Sequence, residues 1–95
     1  MPEMTFHVRW PDDTVSHCYS PSLVVREHLT VGQSYPLADF VDRARAALTI
    51  ASDRVKAKYG FHCTGAAAQL DEIERTAARF AAGASPAVTV LGFEP

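Results

Sequence analysis

The 95-residue sequence predicts an α+β fold: a small antiparallel three-stranded sheet, laid down in the order β-β-α-α-α-β, with helices packed on one face. Three observations predict it. "MTFHVRW" alternates apolar and polar residues with the period of a half-buried strand, two long stretches carry apolar residues at helical spacing, and a β-branched run, "AVTVLGF", closes the chain.

In the first strand Met4, Phe6, Val8 and Trp10 alternate with Thr5, His7 and Arg9, and this cleanest of the alternations is the expected central strand. "PDDT" is a turn and "VSHCY" returns, so residues 4 to 19 read as a hairpin. With Asp12 and Asp13 as the tip, Trp10 lies opposite Val15, Val8 opposite His17 and Phe6 opposite Tyr19. That register puts Cys18 and Ser16 on the other face; a bulge at the turn reverses the assignment.

Ser20 before Pro21 caps a short helix through "SPSLVVREHL", with Gly32 after it. A long helix follows from the Ser34–Pro36 region to Gly60, its apolar face formed by Phe40, Val41, Ala44, Leu48, Ala51, Val55 and Tyr59. It is longer than a chain of this size needs. The surplus offers a homodimerisation surface. From Thr64, Ala66, Leu70, Ile73, Ala77 and Phe80 mark a second amphipathic helix, with Gln69, Glu72, Arg75 and Arg79 opposite and Gly83 at its end.

Composition narrows the function classes. With 47% apolar and 21% charged residues, no repeat and no linker, residues 1–95 read as a single domain that buries roughly 60–65% of its unfolded surface. The net charge is -2 and the nine basic residues form no run that could track a phosphate backbone, so neither a nucleic-acid nor a membrane partner is expected. The acidic, alternating N-terminus is not a secretory signal and no apolar run is long enough to span a bilayer, so a cytoplasmic protein with reduced thiols is expected.

The residues able to carry chemistry are two His-Cys pairs, His17-Cys18 and His62-Cys63. Four such ligands suit zinc, but adjacent strand residues point to opposite faces, and the short ligand loops of zinc modules are missing. No metal and no cofactor is expected. Cys63 directly precedes a helix, whose free N–H groups favour a thiolate, with His62 beside it. The alternative is a small buried thiol, the commoner fate of a free cysteine. His7 and His28 read as solvated or end-capping residues. Asp39, Asp42, Arg43 and Arg45, and Glu72, Glu74 and Arg75, read as solvated helix faces with local ion pairs.

The strings "FHVRWPD", "CYSPSLVV", "GQSYPLADFV", "ALTIASDRV" and "KYGF" resemble, over nearly the whole chain, a family of small bacterial nitrogen-starvation response proteins of mycobacterial and cyanobacterial type. Trp10, Pro11, Cys18, Tyr19, Ser20, Pro21, Ser22, Tyr35, Pro36, Asp53, Tyr59, Gly60 and Cys63 carry the likeness; His17 and His62 lie outside it. The resemblance implies a gene cluster with a nitrilase and a role in nitrile or cyanide assimilation, and it transfers no catalytic residue. The expected function is therefore a non-catalytic accessory protein, a homodimer that binds a partner enzyme of that pathway or a small metabolite. The alternative is a thiol-dependent enzyme or carrier using Cys63, with Cys18, on an electrophilic small molecule.

Overall fold

The computed structural model describes residues 3–61, 64–80 and 86–94. It has the α+β architecture, with a sheet of four strands where the sequence predicts three. These are β1 (Met4–Arg9), β2 (Val15–Ser20), β3 (Ser34–Pro36) and β4 (Ala87–Glu94), all antiparallel and ordered β2-β1-β4-β3. β1 is an interior strand. Its alternation is realised in full: Met4, Phe6, Val8 and Trp10 are buried, while Thr5, His7 and Arg9 face away from the core.

The extra strand comes from the expected helix start. Tyr35 precedes a proline, which disfavours helical backbone there, so Ser34–Pro36 stays extended and pairs with Ala87–Thr89 of β4. Helix α2 (Leu37–Tyr59) begins only after Pro36 and ends at Gly60, whose φ of 86° lets its N–H donate to the Lys56 carbonyl at 2.8 Å. The short helix is also smaller than predicted, with α1 reduced to Val25–His28 and Ser20 in β2. Helix α3 (Thr64–Ala78) follows the predicted pattern, with Ala66, Ile73 and Ala77 buried and Leu70 half-buried. Gly83 lies outside the described residues.

The core sits between one sheet face and the helices, where Phe6, Val8, Val88 and Val90 meet Phe40, Ala44, Leu48 and Ile73. Trp10 packs edge-on against Phe40 and face-on against Phe80, and its indole N–H donates to Ser16 Oγ at 2.8 Å. Among the described residues, the other sheet face carries no helix.

The hairpin register departs from the simple two-residue tip. Trp10 and Asp13 close a tight turn through the Asp13 N–H, Asp13 takes left-handed backbone (φ 70°), and the Trp10 N–H donates to the Thr14 carbonyl at 2.8 Å. This is a three-residue loop with a bulge at Asp13. It pairs Phe6 with Cys18, His7 with His17 and Val8 with Ser16, one residue away from the simple pairing, so every side chain of β2 changes face. The pairing of Val8 with His17 is therefore corrected, and Cys18 joins the core.

Candidate functional site

Cys18 is fully buried opposite Phe6, and burial, reinforced by the nearby Glu72 carboxylate, pushes its thiol up to about 12. A thiol held this far above neutrality stays protonated near pH 7, and its burial closes it to solvent. His17 points to the opposite face, so the first His-Cys pair is divided by the sheet. His62 and Cys63 lie outside the described residues, and among the described residues no three His, Cys, Asp or Glu side chains converge on a metal position.

The bulge produces an arrangement that sequence reasoning missed. Counting back from the Trp10–Thr14 closing bond, Val8–Ser16 and Phe6–Cys18 are hydrogen-bonded pairs, and His7–His17 falls between them, where cross-strand side chains stand closer together. The two imidazoles stack with centroids 4.2 Å apart and planes 18° from parallel. The His7 side chain is 19% exposed, its Nε2 atom is buried with no hydrogen-bond partner among the described residues, and Glu94 Oε2 lies 3.7 Å away. His7 is therefore not the solvated residue the sequence suggests. The signal was the bulge-forming loop itself.

A second feature is a groove of about 560 Å³ where α2 begins, α3 ends and the sheet edge passes. Leu37, Val41, Ala77 and Pro86 are among its apolar walls, and Asp42 and Arg45 stand at its rim. Arg45 bridges the helices, 3.0 Å from Asp42 and 3.2 Å from Glu74, and Glu74 above all raises its pKa further. Of the remaining charged candidates, Arg43 pairs with Asp39 and Arg75 with Asp71 on the surface, both at 3.0 Å. His28 contributes only its backbone carbonyl, which accepts from Arg43 at 3.1 Å. Apolar walls with a few charged groups at the rim are the ordinary make-up of a binding cleft.

Three of the positions that carry the sequence likeness, Ser20, Ser22 and Tyr35, do framework work. The Ser20 hydroxyl donates to the Ser22 carbonyl at 2.7 Å, and Ser22 Oγ accepts from Arg54 at 3.1 Å, which fixes the strand exit at Pro21 to α2. Tyr35 accepts the Thr30 N–H at 2.9 Å through its hydroxyl while the Arg43 guanidinium lies 4.8 Å above its ring. The family model of the nitrogen starvation-induced protein NitG matches residues 5–93, spanning all four strands and all three helices. The chain belongs to that family. Comparison with curated proteins and with solved structures returns no significant match to either. Among the described residues, no helix is long and apolar enough to cross a membrane.

Proposed function

We propose that this member of the nitrogen starvation-induced family is a small non-catalytic accessory protein of the cytoplasm, serving nitrile or cyanide assimilation by binding a partner enzyme of the pathway. One observation carries this reading: the Cys18 thiol is sealed in the core with its ionisation pushed up to about 12, while the exposed relief is an apolar groove with an ion-paired rim. A free, buried Cys18 also fits a reducing compartment.

The experiment is complementation with a Cys18→Ala, Cys63→Ala double variant, returned to a strain lacking the gene and starved of nitrogen with a nitrile as the alternative source. The expected result is recovery equal to that given by the native chain. A double variant that folds and accumulates normally but fails to restore growth overturns the binding role in favour of thiol chemistry at Cys63.

A further inference from the structure

Helix α2 is about 34 Å long at 1.5 Å per residue, and its two ends are unlike. The N-terminal end flanks the apolar groove. The C-terminal end presents Tyr59 and Phe61, 52% and 65% exposed, with ring centroids 6.4 Å apart. Tyr59 follows Val41, a wall of the groove, by 18 residues, which is about five full turns. Hole and knob therefore lie on the same side of one helix, at opposite ends.

Between them runs an exposed polar row: Asp42, Arg45, Thr49, Asp53 and Lys56. Its spacing is symmetric about Thr49, with Arg45 and Asp53 four residues to either side and Asp42 and Lys56 seven. Its charges are antisymmetric. Reversing the row and laying it on itself sets Asp42 against Lys56 and Arg45 against Asp53, twice over, and also opposes the two helix dipoles. Lys56 and Lys58 have no ion-pair partner among the described residues, whereas at the groove rim the single guanidinium of Arg45 is shared by two carboxylates, Asp42 beside it and Glu74 of α3.

We propose that a second copy of this chain docks antiparallel along α2, centred on Thr49, with Tyr59 and Phe61 of each copy entering the groove of the other. The contact is isologous, as a two-fold dimer requires. It covers the exposed aromatic pair and supplies each lysine-bearing helix end with the carboxylates it lacks. The inference rests on reading the chain as an interaction protein, but its test is independent of the thiols.

Light scattering of the native full-length chain at tens of micromolar should give twice the chain mass, with a dissociation constant that rises with salt. Asp42→Lys and Lys56→Asp should each weaken dimerisation at least about tenfold, and the double variant carrying both should return to within about threefold of native, because the pair is restored with its sign inverted. Phe61→Ser should weaken the dimer without altering that rescue. All three positions are exposed, so melting curves should stay close to native. A monomeric native chain at high micromolar concentration overturns the dimer. A dimer indifferent to both single reversals, or one that the double reversal does not restore, overturns this surface. Either outcome leaves the complementation result of the thiol variant unchanged, so failure of the dimer and failure of the non-catalytic reading are distinguishable.

Discussion

His7 and His17 lie face to face across the β1–β2 ladder, ring centroids 4.2 Å apart, because Asp13 adopts left-handed backbone at the hairpin loop. The φ of 70° at that one residue inserts the bulge that shifts the register by one. The same shift sends Cys18 inward.

The bulge gives the first prediction. Asp13→Gly should be neutral or slightly stabilising, since glycine enters the left-handed region without steric cost. Asp13→Val should destabilise by about 1–2 kcal/mol, the penalty of a β-branched side chain in that region. Urea midpoints at constant m-value check both. A harmless valine would contradict the bulged loop as the element that sets the register.

Cys18 gives the second. Its folded pKa of about 12 stands above the ordinary 9.0, so the thiol's contribution to stability is intact below pH 9 and is lost as pH climbs from there towards 12, because the unfolded chain releases the proton first. Alkaline denaturation of the native chain should therefore be steeper in that window than that of Cys18→Ala. Parallel stability–pH curves would refute the burial. At pH 8, a disulfide reagent should reach Cys18 only when the chain unfolds.

At the exposed edge of the sheet, the Tyr19 N–H donates to Gln69 Oε1 of α3 at 2.9 Å, a side chain covering part of an edge strand. Gln69→Ala should cost about 0.5–1.5 kcal/mol and speed exchange of the Tyr19 amide. Unchanged exchange would show that α3 does not protect this edge.

Ile73 and Leu70 share the inner side of α3, but Ile73 is buried and Leu70 only half-buried. Ile73→Ala should cost about 2–5 kcal/mol and Leu70→Ala less, because the transfer and cavity losses scale with what is enclosed. Equal costs from chemical denaturation would show that α3 is rotated relative to this packing.

Gly60 holds a φ of 86° with nothing within 4 Å of the position a Cβ would take, so only backbone strain opposes a side chain there. Gly60→Ala should cost about 1–2 kcal/mol in thermal or chemical melts. A smaller effect would mean that α2 can end in another conformation.

Local periodicity by itself determined the architecture class and most inward residues of β1, α2 and α3, because a period of two or 3.6 fixes which side chains share a face wherever the partner lies; Tyr59 is the exception, placed on the inner face by the pattern but left 52% exposed at the end of α2. The string running from Phe6 to Cys63 likewise determined the family. What only the tertiary structure decided depended on contacts distant in sequence or on one backbone angle. Ser34–Pro36 became a strand because Thr89 and its neighbours in β4 supply an edge to pair with, more than fifty residues away in the chain. The face of Cys18 turned on the conformation of Asp13, and composition is the same for either loop geometry. The groove exists only where Leu37, Ala77 and Pro86, from three separate segments, are brought together. A sequence pattern encodes which face a residue occupies on its own element; only the packing of elements decides what that face meets.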